Sequence, residues 1–204
     1  MKPSRSPQRC AGLTLVEVLV LLAVVGVLVW MVIPQTSPNL IGGQMTGTLN
    51  NARQLQIATQ MMALDTKAAD GKGLDWTTIT VNGKSEPVSL AAYFQALTEN
   101  NYLSDSDLRK LLRAPGRSPG NGPLTTETIP FRFFVIDGKS PENQPFVVTT
   151  NWKDRVLTSE MPYGKKGFVV FGKGGSGGIY RRSEDASSSE IFPTGPRYRY
   201  QTLR

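Results

Sequence analysis

The chain has no histidine in its 204 residues and one cysteine, Cys10. Histidine is the commonest metal ligand and the side chain whose pKa lies closest to neutrality. Without it, neither a Ser-His-Asp nor a Cys-His arrangement can form, and the usual zinc hydrolase sites are excluded. A single cysteine cannot form an internal disulfide, so packing must stabilise the fold. We therefore expect a protein that is not an enzyme and that needs no cofactor.

Acidic residues are absent from the first twelve positions, which contain Lys2, Arg5 and Arg9. The apolar run that follows, from Leu13 to Ile33, is interrupted only by Thr14 and Glu17. At about 1.5 Å per residue the run would span roughly 30 Å as a helix, which is the thickness of a bilayer's hydrocarbon core. It predicts a membrane helix with the basic end in the cytoplasm.

Glu17 is an ionisable side chain near the start of that predicted helix, and such a position is usually functional. An unpaired buried carboxylate costs several kcal/mol, whereas a neighbouring ammonium group would stabilise it. One hypothesis is that Glu17 pairs with the N-terminal amine of an adjacent subunit and sets the register of an assembly. The alternative is that it reaches the lipid headgroups, since it lies close to the helix start.

The segment Gly12-LTLVEVLVLLAVVGVLVWMVI-Pro34 resembles the N-terminal motif of type IV pilins and type II secretion pseudopilins. The resemblance implies that a prepilin peptidase cuts between Gly12 and Leu13 and methylates the new amine of Leu13. It further implies that the helix enters a filament core, with Glu17 in assembly and a kink at Pro34. Leu13 replaces the usual phenylalanine, which the family tolerates.

The lack of a disulfide loop near the C-terminus favours a pseudopilin over a true pilin. The expected function is therefore a structural subunit of the pseudopilus of a type II secretion system. The implied partners are further copies of the chain, other pseudopilins, the inner-membrane assembly platform, the prepilin peptidase and the lipid bilayer. The alternatives are a type IV pilus subunit for adhesion, twitching or DNA uptake, and a membrane-tethered periplasmic binding module that does not polymerise. The expected location is the inner membrane, crossed once, with the C-terminal domain in the periplasm.

The rest of the chain predicts an α+β fold: a long N-terminal helix, partly transmembrane, carrying a small globular domain with short helices and an antiparallel β-sheet. Residues 1–12 would be a cleaved leader, 13–33 the membrane and filament helix, 34–70 a linker and amphipathic helix, and 71–204 the periplasmic domain. Two prolines and two adjacent glycines in 34–43 predict a kinked or melted segment. A helical apolar stripe then follows, opposed by Asn51, Arg53, Gln54, Gln56 and Gln60. Its members are Met45, Leu49, Ala52, Leu55, Ala58 and Met62.

Ser89 and Ser104 are placed as N-caps of two short helices, ending near Glu99 and Arg113. A strand and turn are expected at 77–84, and apolar strands at Phe131–Ile136, Phe146–Thr150 and Gly167–Phe171.

Three polar segments suggest binding, but weakly. Glu184, Asp185 and Glu190 are calcium candidates, although their spacing has no regular ligand pattern and we expect a solvated acidic loop. The glycine-rich segment 173–178 lacks the spacing of a phosphate-binding loop, so a turn is expected there. The tail Arg197-Tyr-Arg-Tyr200 combines cations with aromatic rings, but it is too short to form a nucleic-acid surface, and we expect no nucleic-acid partner.

Overall fold

A computed structural model describes residues 15–69, 73–153, 156–182, 184 and 202–203; for 29–39 it describes the backbone only. Three α-helices are present in this part of the chain: α1 (Leu15–Ala68), α2 (Leu90–Glu99) and α3 (Asp105–Leu111). A short 3₁₀ helix covers Gly164–Lys166. The nine strands are β1 (Leu74–Asp75), β2 (Thr78–Val81), β3 (Lys84–Pro87), β4 (Phe131–Phe133), β5 (Pro145–Thr149), β6 (Trp152–Lys153), β7 (Val156–Leu157), β8 (Phe168–Gly172) and β9 (Gly177–Tyr180).

The chain forms two compact units, which divide α1 between them. The first unit extends to Ile41 and the second begins at Gly42. The second unit therefore includes the whole helical stripe that the predicted boundaries assigned to 34–70.

The part of α1 in the second unit buries the predicted apolar stripe. Met45, Ala52, Leu55, Ala58 and Met62 are all buried, and Leu49 is partly buried against the same core. A helix that covers a domain needs one apolar face at this spacing, and the prediction is confirmed.

The predicted polar face of α1 is wrong at one position. Gln56 is buried, and its Nε2 donates a hydrogen bond to the backbone carbonyl of Lys173 at 2.7 Å. Ile57, its neighbour, is exposed instead. The helical periodicity could not predict a buried glutamine here. The carbonyl that accepts its hydrogen bond belongs to Lys173, which is far from Gln56 along the chain.

Both short helices begin at the predicted caps. The Ser89 side chain accepts a hydrogen bond from the backbone N–H of Ala92, and Ser104 accepts one from that of Asp107. These serines satisfy amide groups that have no partner within the helix. The two N-cap predictions are confirmed.

The strands form three antiparallel sheets. The first is β1-β2-β3, the second is β4-β5-β8-β9, and the third is the pair β6-β7. Thr202 forms an isolated antiparallel bridge with Phe134, and the Leu203 amide donates to the Phe133 carbonyl at 3.0 Å. The three apolar runs predicted as strands form β4, β5 and β8, the central strands and one edge of the largest sheet.

Aromatic rings fill the space between α2 and the largest sheet. Tyr93 and Phe94 on α2 pack against Phe133 on β4, with ring centroids 5.4 Å apart in both pairs. Phe133 also contacts Phe146 edge-on at 5.6 Å, and Phe146 contacts Trp76. Burying each of these side chains contributes roughly 1.5–3 kcal/mol, so this cluster fixes α2 on the sheet.

The predicted fold class is contradicted. The single small antiparallel sheet is replaced by three sheets, and the long helix that was expected to carry the domain is divided between two compact units. Within the described residues, no helix is both long and apolar enough to cross a membrane.

Pro34 lies inside α1, which is helical from Leu15 to Ala68. The expectation of a melted segment over 34–43 is therefore wrong. A proline removes one backbone hydrogen bond of a helix but does not always end the helix, because the neighbouring turns can hold its geometry. The kink at Pro34 stays a prediction.

Candidate functional site

The first candidate site is the N-terminal part of α1, whose apolar side chains are exposed. Over 15–28, every residue is exposed. The exposed fraction of the leucines and valines runs from 80% at Leu15 to 45–46% at Val18 and Val25. Soluble surfaces rarely expose contiguous apolar patches of more than a few hundred Å². A helix that is apolar on all sides requires either lipid or other protein to cover it.

Glu17 lies in the first turn of α1 and is the acidic residue of that turn. Its side chain is exposed. Residues 15–28 contain no other charged side chain. A carboxylate in the first turn interacts favourably with the positive end of the helix dipole. The structure thus places a single negative charge at one end of an otherwise apolar surface.

The predicted processing site and much of the predicted calcium site lie outside the described residues. Gly12 and Leu13 precede the first described residue, and Asp185 and Glu190 lie in 185–201. Glu184 is described and exposed. Among the residues that the structure describes, no group of three or more cysteine, aspartate or glutamate side chains could hold a metal ion. The cleavage, methylation and calcium assignments stay predictions.

Lys173, the first residue of the glycine-rich segment, is almost fully buried and 4% exposed. Its ammonium donates to the backbone carbonyls of Gly138 and Ser140 at 3.2 and 2.6 Å, and to Glu142 Oε1 at 3.1 Å. It also lies 5.6 Å from the centre of the Trp76 ring. Since these partners occupy the ammonium, Lys173 holds the 138–142 loop against the sheet.

The glycine-rich segment itself connects β8 to β9 as a turn, as predicted. Gly175 at its centre has φ of +83°, a conformation that glycine adopts without strain. The sequence analysis singled out these glycines and missed the role of Lys173. The available signal was a lone lysine directly after the buried strand β8.

Within the second unit, two tyrosine–threonine hydrogen bonds attach the α1 residues to the rest of the unit. Tyr163 bonds to Thr48, and Tyr93 bonds to Thr59. Burial raises the pKa of both tyrosine hydroxyls above their ordinary value, and the threonine contacts partly oppose this rise. The sequence analysis did not predict these hydrogen bonds, because no pattern in the sequence shows which threonine and which tyrosine come into contact.

An open groove of about 380 Å³ lies between the C-terminal part of α1, strands β1 and β2, and the end of α2. Its lining includes Asp65 and Tyr102, and the Tyr102 hydroxyl donates to Asp65 Oδ2 at 2.7 Å. This hydrogen bond raises the pKa of Tyr102. Among the described residues that line the groove, Asp65 is the one carboxylate.

Comparison with protein-family models, curated proteins and solved structures finds no match to this chain.

Proposed function

We propose that the chain is a structural, non-catalytic subunit of a pseudopilus-type filament in a type II secretion system. A prepilin peptidase would process it between Gly12 and Leu13, and it would polymerise through the segment that follows the cut. The observation that carries this proposal is the exposed apolar helix at 15–28, with Glu17 as its single charged residue.

The exposed apolar surface supports assembly because water is a poor environment for it. Fully burying an exposed leucine or valine contributes roughly 1.5–3 kcal/mol. The segment has more than ten leucines and valines that are 45–80% exposed, so each would contribute part of that value. Packing the same segment of many copies side by side would cover this surface on every side of the helix. Lipid would cover it before assembly, which is consistent with an inner-membrane location and a periplasmic domain.

The position of Glu17 supports register control within such a stack. A carboxylate moved into apolar surroundings is costly unless a cation lies beside it. Cleavage after Gly12 would create a free amine at Leu13, four residues before Glu17. In a stack that shifts neighbouring chains along the axis, the amine of one copy pairs with Glu17 of the next. Other registers would separate the carboxylate from that amine.

Processing is tested by determining the intact mass and the N-terminal residue of the protein isolated from its native membranes. A chain that begins at N-methylated Leu13 is expected. A chain that retains Met1 while an active prepilin peptidase is present would contradict the filament role and favour the tethered binding module.

Register control is tested with Glu17→Ala, using Val20→Ala on the same exposed surface as the matched control. We expect Glu17→Ala to abolish filaments seen by electron microscopy while carbonate extraction still leaves the protein in the membrane. Val20→Ala should form filaments at nearly normal yield, because it removes apolar area and no charge. Normal filaments in Glu17→Ala would refute the register role.

A further inference from the structure

Four exposed basic residues flank the open end of the β8–β9 hairpin. The strand pairing places Phe168 opposite Tyr180 at the open end of the β8–β9 hairpin. Lys165 and Lys166 precede β8 there, and Arg181 and Arg182 follow β9. All four side chains are exposed. We call these four residues the basic patch.

Charge at the patch is largely uncompensated within the described part of the chain. None of its four members takes part in the ion pairs found among the described residues. Glu160, a nearby acid in sequence, faces Arg117 at 4.0 Å. Glu184 and Asp185 follow the patch in the sequence and place two negative charges against its four positive ones. The patch therefore presents a net positive surface to solvent.

The patch lies where α1 enters the second unit. Tyr163, just before the 3₁₀ helix, donates its hydroxyl to the backbone carbonyl of Gln44 at 3.1 Å. Gly167 lies against both Met45 and Tyr180: a Cβ there would come within 2.9 Å of the Met45 methyl and 2.7 Å of the Tyr180 carbonyl. The backbone at Gly167 has φ of +140°, so glycine is required for this approach.

A short chain segment therefore connects the patch to the apolar run that ends at Ile33. From Gln44 to Ile33 the chain cannot extend beyond roughly 40 Å. If lipid covers the apolar run before assembly, Gln44, which accepts a hydrogen bond from Tyr163 beside the patch, is tethered to that run by a chain segment of at most this length. Tethering at this range gives a high effective concentration, so weak attractions become significant.

We propose that the basic patch binds the anionic phospholipid surface of the membrane and holds the periplasmic domain against it until the subunit leaves for the filament. This inference rests on the proposed function, because it requires lipid around the apolar run. Each lysine or arginine near an anionic surface favours the bound state by about fivefold, and the attraction weakens beyond roughly 8–10 Å in physiological salt. Four residues that act independently give a factor of several hundred.

The test uses the full-length processed chain in lipid vesicles and measures energy transfer from a dye on the domain to labelled headgroups. The dye is attached at Ser159→Cys, because Ser159 is exposed and its carbonyl lies beside Gly164 in the 3₁₀ helix. A second preparation carries the dye at Ser85→Cys on β3, an exposed site outside the patch. Flotation of the vesicles reports separately whether the chain is membrane-associated.

The patch variant replaces all four basic residues with glutamine. Its matched control replaces four exposed basic residues elsewhere on the same unit and changes the net charge equally: Lys84, Lys110, Arg113 and Lys139.

We expect strong energy transfer from the dye at residue 159 in vesicles with 30% anionic lipid. In zwitterionic vesicles the population of domains bound to the membrane should be at least tenfold smaller. The patch variant, and the wild-type chain at high salt, should show a similar loss. The control variant should keep most of the signal, and transfer from residue 85 should stay low.

Two outcomes overturn the proposal without affecting the filament role. Equal transfer in anionic and zwitterionic vesicles, with all variants floating, would show that lipid charge does not hold the domain. Unchanged transfer in the patch variant, together with lost filament assembly, would assign the patch to a protein partner. Failure of the wild-type chain to float with either vesicle would instead refute the membrane stage of the proposed function, and the patch proposal with it.

Discussion

Replacing Thr59 should destabilise the protein more than replacing Tyr93, although the two side chains share one hydrogen bond. Both residues are fully buried. Thr59 has one hydroxyl proton, which it donates to the Leu55 carbonyl at 2.7 Å. The Tyr93 hydroxyl must therefore be the donor to Thr59. The pair is asymmetric, because Thr59 can lose its partner and still keep a hydrogen bond, whereas Tyr93 cannot.

The magnitudes follow from that asymmetry. Tyr93→Phe removes one donor and leaves no buried polar group without a partner, so it should cost about 1 kcal/mol. Thr59→Val leaves the buried Tyr93 hydroxyl without its acceptor and should cost about 2–3 kcal/mol. The double variant removes both polar groups and should cost less than the sum of the single changes, by about 1 kcal/mol.

The free energies are measured by urea unfolding of the full chain in mild detergent, followed by the fluorescence of the buried Trp76 and Trp152. Thr98→Val is the matched control. Like Thr59, Thr98 donates to the carbonyl four residues before it, which is that of Phe94. Its described hydrogen bonds include no tyrosine partner. The control should cost within about 0.5 kcal/mol. Additive effects, or a larger cost for Tyr93→Phe than for Thr59→Val, would refute the reasoning.

Two further predictions concern buried ionisable groups. Lys173→Ala should lower the unfolding free energy by about 3 kcal/mol, because it leaves two loop carbonyls without their donor. Glu142→Gln should change it by less than 1 kcal/mol, since Glu142 is 74% exposed. Equal costs of the two variants in urea unfolding would contradict this reasoning. Burial raises the pKa of Tyr93 above 10.0, so the folded state keeps a proton that the unfolded state releases. The stabilisation is fully present below pH 10 and is lost as the pH rises further, by at most 1.36 kcal/mol per pH unit for one group. Unfolding midpoints from pH 9 to 11 should fall less steeply in Tyr93→Phe, and parallel curves would exclude the effect.

Local signals identified most elements of the second unit. Ser89 and Ser104 cap α2 and α3 because a serine oxygen satisfies the free amides of a first turn, a contact that involves only neighbouring residues. The strands β4, β5 and β8 follow from short apolar runs between turn residues. Each of these features depends on a few consecutive positions and can be recognised without knowing the fold.

Sheet organisation was not accessible in the same way. The separation of β1-β2-β3 from β4-β5-β8-β9, and the pairing of Thr202 with Phe134, join segments far apart in the chain. The residues of a strand do not determine which other strand it pairs with, because several apolar strands can pair with the same neighbour. The single sheet that we predicted was wrong for this reason.

The candidate assembly segment is the feature that the sequence defined most fully. Its composition alone shows one acidic residue, Glu17, in an apolar run that follows a basic start. The structure adds that the side chains over 15–28 are exposed and that α1 continues through Pro34. The filament role and the cleavage at Gly12 and Leu13 stay proposals that chemistry and microscopy can test.

The sequence by itself determined the local helices, caps and apolar strands and the absence of histidine chemistry, because each depends on residue type and short spacing. Only the tertiary structure decided that Gln56 is buried, that Lys173 holds the 138–142 loop, and that Lys165, Lys166, Arg181 and Arg182 form one patch. In each case the interacting residues are far apart along the chain and are brought together by folding. The sequence therefore contains no periodic pattern that would predict the contact.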